Sequence, residues 1–229
     1  MSFSIFRTKT VAGANIAGFI LGTALFSMFL MLTLYMQQVL GYSPLKTGVS
    51  YIAVAGTSII WAMVAQMLVT RVGVKPVLVT GMSLLTVGLL YFTQVSVDGS
   101  YLGDLLPGFL VIAMGMAFSF VSISIAALAG IPAEEAGIAA GLINTSQQIG
   151  GALGIAVLSS VAVAHTTDAT KAGDAVPQAL TSGFQAAFWV GAGVAFAGVV
   201  AALALIRKDE LAASPTYEAE EHLALEAAA

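Results

Sequence analysis

The sequence predicts an all-α membrane protein, a bundle of six transmembrane helices. Of its 229 residues, 59% are hydrophobic and only 9% are charged, whereas a soluble domain carries roughly a quarter of its residues as charged side chains. A chain with so little polar surface requires lipid as its solvent. Six stretches are also long and apolar enough to cross a bilayer, which takes about 20 apolar residues in a helix.

The six predicted spans follow one another through mostly short connections. The spans cover residues 11–40, 49–69, 77–95, 105–128, 138–163 and 187–206. The connections are predicted at 41–44, 70–76, 98–104, 130–132 and 164–183, and the last is the longest. All twenty charged residues fall outside the six spans. Residues 1–208 are therefore expected to form one membrane domain, and 209–229 a disordered acidic tail.

The basic residues predict the orientation, because Lys and Arg stay preferentially on the cytoplasmic side. With six helices, both termini lie on the same side. Cytoplasmic termini place six basic residues inside the cell, namely Arg7, Lys9, Arg71, Lys75, Arg207 and Lys208. Only Lys46 and Lys171 then lie outside. We expect a multi-pass protein of the cytoplasmic membrane with both termini and the tail in the cytoplasm.

The composition argues against several classes of function. The formal net charge is −4, so there is no basic face for nucleic acid. Cysteine is absent, which excludes disulfides and Cys-ligated metals. There is no Gly-rich phosphate loop and no His-Glu-x-x-His motif, and both histidines lie outside the spans. The sequence therefore predicts no enzyme, no metal and no cofactor, with membrane lipid as one partner.

Neutral amides are the notable polar groups inside the spans, which hold no ionisable side chain to carry a proton. Gln37 and Gln38 lie near the outer end of the first helix, and Asn144, Gln147 and Gln148 lie in the fifth. All five are candidates for lining a substrate pathway. The alternatives are a solvated helix end for Gln37 and Gln38, and hydrogen bonding between helices for the other three.

Glycines accompany the amides of the fifth helix. Gly141, Asn144, Gln148 and Gly151 recur at three- and four-residue spacing, which places them on one helix face. Gly150 and Gly154 form a small-xxx-small pair that lets another helix approach closely. Helix packing is therefore predicted for four glycines: Gly141, Gly150, Gly151 and Gly154.

Three segments resemble one family. LYMQQVLGYSPLKTG (34–48) and GLINTSQQIGGALG (141–154) resemble passages in the C-terminal half of the fourteen-helix EmrB/QacA-type drug:proton antiporters of the major facilitator superfamily. Leu68, Arg71, Gly73 and Lys75 resemble the cytoplasmic loop motif of that superfamily. Gln66 and Thr70 stand where the motif has glycine and an acidic residue.

The resemblance implies a fold and a mechanism. The fold is an inverted repeat of three plus three helices facing a second half across a central cavity. The mechanism is alternating access, in which proton influx drives export of lipophilic small molecules. The N-terminal half is missing from this chain, so it belongs to the same protein, to a separate chain, or is replaced by self-association. The alternative is a non-transporting membrane subunit or a truncated remnant that only packs in the membrane.

Overall fold

A computed structural model describes residues 9–128, 131–132 and 134–206. Within these ranges the chain is helical, without strands, and six of its segments are long and apolar enough to cross a membrane. The predicted all-α, six-span architecture is thereby confirmed. The acidic tail, residues 209–229, and the basic residues Arg7, Arg207 and Lys208 lie outside the described residues.

Seven α-helices build the six spans. They are α1 (Lys9–Gln38), α2 (Pro44–Ser50), α3 (Ile52–Val72), α4 (Val74–Phe92), α5 (Leu106–Leu128), α6 (Ala136–Lys171) and α7 (Val176–Leu205). The short α2 and α3 together form the second span. A single π-helical turn, Tyr101–Leu105, leads directly into α5 and extends the fourth span.

The predicted long fifth connection is wrong. Instead of a loop over 164–183, α6 continues to Lys171 and α7 begins at Val176. The polar segment is helical because its Ala residues favour helix, and its hydroxyls find their partners within the helix. Thr167 Oγ1 donates to Val163 O at 2.8 Å and Thr170 Oγ1 to Thr166 O at 2.7 Å.

The length of α6 decides where this extra helix lies. It has 36 residues, which makes it about 54 Å long at 1.5 Å per residue. A bilayer with its headgroups is only about 40–45 Å thick. We therefore expect the polar end of α6, which carries His165 and Asp168, to reach beyond the hydrocarbon of the bilayer.

The predicted second connection, 70–76, is also wrong. A single residue, Gly73, separates α3 from α4. Its φ of 87° and ψ of 167° lie in a region that is essentially restricted to glycine. The third connection also differs, since the non-helical residues are 93–100. Asp104 belongs to the π-helical turn, where its carboxylate accepts a hydrogen bond from the backbone N–H of Ser100 at 2.7 Å.

The packing of the helices shows an inverted repeat. The first span, α1, packs chiefly against α6 and α7, and the fourth span, α5, packs against α4 and α3. If the first span is exchanged with the fourth, the second with the fifth and the third with the sixth, the contacts of α1 become those of α5, and the reverse. The contacts of α1 with α5 and of α4 with α7 each join a span to its own repeat partner, so the exchange leaves them unchanged. This pattern agrees with the predicted three-plus-three repeat.

Side-chain to backbone hydrogen bonds fix the end of the bundle that carries residues 93–100. The hydroxyl of the fully buried Tyr35 donates to Ser96 O at 2.6 Å. Tyr101 donates to Ser50 O at 3.1 Å, and Gln185 Nε2 donates to Val95 O at 2.7 Å. These bonds satisfy carbonyl oxygens that accept no hydrogen bond within a helix. They hold the connections against α1, α2 and α7.

Two spans are far less covered than the others. In their most apolar 18-residue windows, the span of α2 and α3 is 17% buried and α6 is 28% buried, whereas the other four spans are 39–61% buried. Although α6 packs along α7, its repeat partner α3 makes little contact with α4. The bundle therefore presents two open helix faces, one on α3 and one on α6.

Candidate functional site

The crossing of α1 and α6 is built on glycines. A Cβ at Gly22 would lie 2.8 Å from the Cα of Gln147, and one at Gly150 would lie 2.9 Å from the carbonyl carbon of Phe19. Thr23 Oγ1 lies 2.8 Å from Phe19 O and 3.0 Å from Gly150 O. The two backbones are thus in direct contact, with one hydroxyl donating across the interface.

The contact continues along both helices. A Cβ at Gly151 would lie 2.6 Å from the ring of Phe26, and one at Gly154 would lie 2.6 Å from Thr23 O. A side chain at any of these three positions would collide with α1, and helix packing stays the role predicted for Gly150, Gly151 and Gly154. Gly141 differs, because nothing lies within 4 Å of a Cβ placed there. It has no packing role within the described chain.

The three amides of α6 have different surroundings. Gln147 is half-buried, and its Cγ would lie 3.6 Å from a Cβ on Gly18 of α1. Asn144 and Gln148 are exposed on the open face of α6. The polar link from this region to α1 is made by Ser146, whose Oγ donates to Asn15 Oδ1 at 3.0 Å.

The open face of α6 has two sides. Gly137, Gly141, Asn144 and Gln148 form a stripe of small and polar residues, and all four are exposed. Large aliphatic side chains occupy the other side, with Ile149, Leu153 and Val157 each about half exposed. The two sides are chemically distinct, as expected if one faces lipid and the other faces protein or a water-filled cavity.

Gln37 and Gln38 lie far from these amides. Gly22 marks the level of Gln147 on α1, and Gln38 follows sixteen residues later, about 24 Å along the helix. Gln37 is half-buried and Gln38 is exposed at the end of α1. The five candidates therefore do not form one binding site.

Gln38 instead lines a cleft of about 230 Å³ between α1, α6 and α7. Its lining is mainly apolar with a few neutral polar groups: Met31, Leu34, Gln38, Ser159, Ala162, Val163, Thr166, Thr167, Leu180 and Phe184. Sequence reasoning missed this cleft because three of its lining residues, Thr166, Thr167 and Leu180, were assigned to a loop.

The four residues of the loop motif meet at the opposite end of the bundle. Leu68 is half-buried on α3, Arg71 is exposed in its last turn, and Gly73 makes the turn into α4. Lys75 Nζ donates to Leu203 O at 2.6 Å. A cation at the end of α7 satisfies a free carbonyl and complements the helix dipole, so this motif ties the α3–α4 turn to the last span.

A second glycine crossing was missed by the sequence analysis. On α4 and α5, a Cβ at Gly81 would lie 2.6 Å from Ser119 Oγ, and one at Gly115 would lie 2.8 Å from Gly81 O. Gly88 and Gly108 pack equally closely against Ile112 and Phe92. The signal was the seven-residue spacing of glycine on each helix, Gly81 to Gly88 and Gly108 to Gly115.

Charged groups lie at the ends of the helices. In the described part of the chain, each charged side chain and His165 stand in a connection or within two turns of a helix end. No group of three or more His, Asp or Glu that could hold a metal ion occurs among the described residues. The central parts of the spans thus offer hydroxyls and amides as their polar groups.

Comparison with known proteins identifies a family whose model matches this chain. The model of the Major Facilitator Superfamily matches residues 2–155. The puromycin resistance protein pur8 of Streptomyces alboniger is 34% identical over 145 residues, 62% of this chain and 29% of that protein. The multidrug resistance protein B homolog of Mycobacterium tuberculosis is 32% identical over 156 residues, 68% of this chain and 29% of that protein.

A third relative is named as an exporter. The tetracenomycin C resistance and export protein of Streptomyces glaucescens is 29% identical over 168 residues, 73% of this chain and 31% of that protein. The chain thus spans about a third of the length of the relatives it matches. With its six-span bundle, its inverted repeat and a family match over residues 2–155, the chain belongs to the Major Facilitator Superfamily and resembles its drug-resistance and export proteins.

Proposed function

We propose that this chain is the C-terminal half of a proton-coupled exporter of lipophilic small molecules in the cytoplasmic membrane. The observation that carries the proposal is the similarity to relatives named for resistance to, or export of, different compounds. Those proteins are about three times as long as the aligned segment, so export by this chain requires a further part.

The open faces of α3 and α6 are where a second half would dock. They belong to the second and fifth spans, which the inverted repeat relates to each other. The α3 face exposes Ile59, Ile60, Met63 and Met67, and the α6 face carries the stripe of small and polar residues. The partner half belongs to the same protein or to a separate chain, or it is a second copy of this one.

Asn144 and Gln148 are the strongest candidates for contact with a substrate. They are exposed on the open face, and a neutral amide offers hydrogen bonds to a lipophilic compound without the desolvation cost of a charge. Gln147 is partly covered by α1, and Gln37 and Gln38 lie about 24 Å away along α1. Gln147 lies at the same depth as Asn144 and Gln148 but is turned toward α1, so only Gln37 and Gln38 would contribute to a pathway at another depth.

A chimera tests the proposal. This chain replaces the segment of the Mycobacterium tuberculosis multidrug resistance protein B homolog with which it aligns, and efflux of a lipophilic cationic dye is followed in loaded cells. We expect export above the empty-vector rate and its loss on adding a protonophore. A chimera that inserts in the membrane but retains dye like the vector control contradicts the proposal and favours a non-transporting subunit.

Single substitutions in the same chimera test the pathway. Asn144→Ala and Gln148→Ala each remove an amide, and a lost hydrogen bond to substrate costs roughly 0.5–1.5 kcal/mol, or about two- to tenfold in rate. Ser160→Ala is the control, because its hydroxyl is exposed and donates to Ala156 O of its own helix at 2.7 Å. Equal export by all three variants would remove the amides from the pathway.

A further inference from the structure

The cleft between α1, α6 and α7 has an amphipathic wall. Leu34, Val163 and Leu180 supply apolar surface, while Gln38, Ser159 and Thr166 supply polar groups. The side chains of these three polar residues form no hydrogen bond with any residue in the described ranges. Neighbouring hydroxyls differ, since Ser160, Thr167 and Thr170 donate to carbonyls of their own helix. The cleft thus holds polar groups free to bind a ligand.

The depth of the cleft matches the boundary between acyl chains and headgroups. With the Val11–Gln38 span of α1 centred in the bilayer, Met31 lies about 10 Å and Gln38 about 20 Å from the midplane. The hydrocarbon ends about 15 Å from the midplane, and the headgroup region extends to about 20–22 Å. The apolar wall therefore faces acyl chains, and Gln38 lies at the level of the headgroups.

The size and charge of the cleft limit what can occupy it. Its 230 Å³ is below the roughly 300–1,000 Å³ of sites for drug-sized ligands, so a flexible chain fits better than a rigid drug. No charged residue lines it, which favours a ligand that is neutral or zwitterionic. Val163 in its α6 wall is 65% exposed, so the cleft is open to the surroundings of the bundle at this wall.

We propose that this cleft binds one acyl chain of a phospholipid from the leaflet at the Gln38 end of the bundle. The chain lies against Leu34, Val163 and Leu180. Ser159 donates a hydrogen bond to an ester carbonyl of the lipid, and Gln38 and Thr166 donate to phosphate oxygens of its headgroup. This site is independent of the proposed export function, because it needs neither a partner half nor a proton gradient.

Retention of lipid by the purified full chain tests the site. The protein is extracted from vesicles of palmitoyl-oleoyl phosphatidylcholine, exchanged into detergent and weighed by native mass spectrometry. We expect one lipid per chain to remain bound. Ser159→Leu fills the cleft and removes a donor, so the bound-to-free ratio should fall by about tenfold or more. Ser160→Leu, the same change one residue away and outside the lining, should leave it unchanged.

A second pair of variants keeps the test valid if Ser159→Leu does not fold. Thr166→Val removes the free hydroxyl at nearly constant shape and should lower retention about three- to tenfold. Thr170→Val removes a hydroxyl satisfied within the helix and should have no effect. Three results would overturn the proposal: no lipid retained by the wild-type chain, equal retention within both pairs, or one-for-one displacement by a lipophilic dye, which would make the cleft a substrate site.

Discussion

Gly150 lies where α1 and α6 come closest, and it offers a sharp test of residue-scale packing. Gly150→Ala would drive a methyl group against the backbone of Phe19 and force the helices apart, so overpacking should cost about 1–3 kcal/mol of stability. Thermal unfolding of the purified chain in detergent measures the effect. We expect a lower melting temperature than for the wild-type protein.

Gly141→Ala is the matched control on the same helix. Nothing lies within 4 Å of a Cβ at Gly141, and alanine is favoured over glycine in a helix by about 1 kcal/mol. Its melting temperature should stay the same or rise. Equal losses in the two variants would mean that α1 and α6 do not cross at Gly150.

These two glycines also show how far residue-scale prediction reaches. Spacing correctly places Gly141, Asn144, Gln148 and Gly151 near one face of α6, because the helix period is fixed. It does not say which part of that face meets a neighbour. Gly151 packs against Phe26 whereas Gly141 is open, and only the position of α1 distinguishes them. The pathway role of the amides stays a prediction for the same reason.

The turn between α3 and α4 is decided at the scale of elements. Two antiparallel spans are joined by Gly73 alone. Its φ is 87° and its ψ is 167°, a conformation that residues other than glycine rarely adopt. Gly73→Ala should therefore cost about 1–3 kcal/mol, although no atom lies within 4 Å of a Cβ there. The cause is backbone strain alone.

Gly56→Ala is the control for backbone strain. Gly56 lies inside α3 with equally open surroundings but without a positive φ, so alanine should be neutral or stabilising there. Chemical unfolding of both variants in mixed micelles gives the comparison. A Gly73→Ala protein as stable as Gly56→Ala would show that the α3–α4 turn adopts another conformation.

The elements were easier to count than to delimit. Hydropathy identified six spans, because lipid-exposed backbone must be helical. It placed the end of α6 at residue 163, eight residues before Lys171. Polarity marks where water begins, whereas a helix ends where its hydrogen bonding ends. In α6 the helix continues past the hydrocarbon to Lys171, and the missed part of the cleft lies in this extension, at the level of the lipid headgroups.

The distribution of charge and the six crossings predict the orientation of the whole molecule. The connection at Gly99 and the end of α7 lie at opposite ends of the bundle, and the excess of Lys and Arg lies at the second of these. A green fluorescent protein fused after Lys208 should fluoresce in the cytoplasm, and alkaline phosphatase fused after Gly99 should be active outside. Reporters that place both sites on one side of the membrane would refute the topology.

Whether a proton gradient can drive transport also depends on the whole molecule. A proton must ride on a group that titrates within the membrane, since moving an embedded charge is what links transport to the gradient. In the ranges described, ionisable side chains lie near helix ends or in connections. The innermost acids by sequence are Asp104 and Asp168, each the fourth residue from an end of its span. Asp104 accepts a hydrogen bond from Ser100 N, and Asp168 Oδ1 lies 4.0 Å from Lys171 Nζ.

This chain expressed alone should therefore not carry out proton-coupled export. Alternating access needs two halves that move around a shared site, and the amides of this half bind but do not titrate. The measurement is efflux of a fluorescent cationic dye from cells that make only this chain, with and without a protonophore. We expect retention equal to that of cells without it, while the chimera described above exports. Strong export that collapses with the gradient would mean that the chain, as a self-associated pair, carries its own proton site.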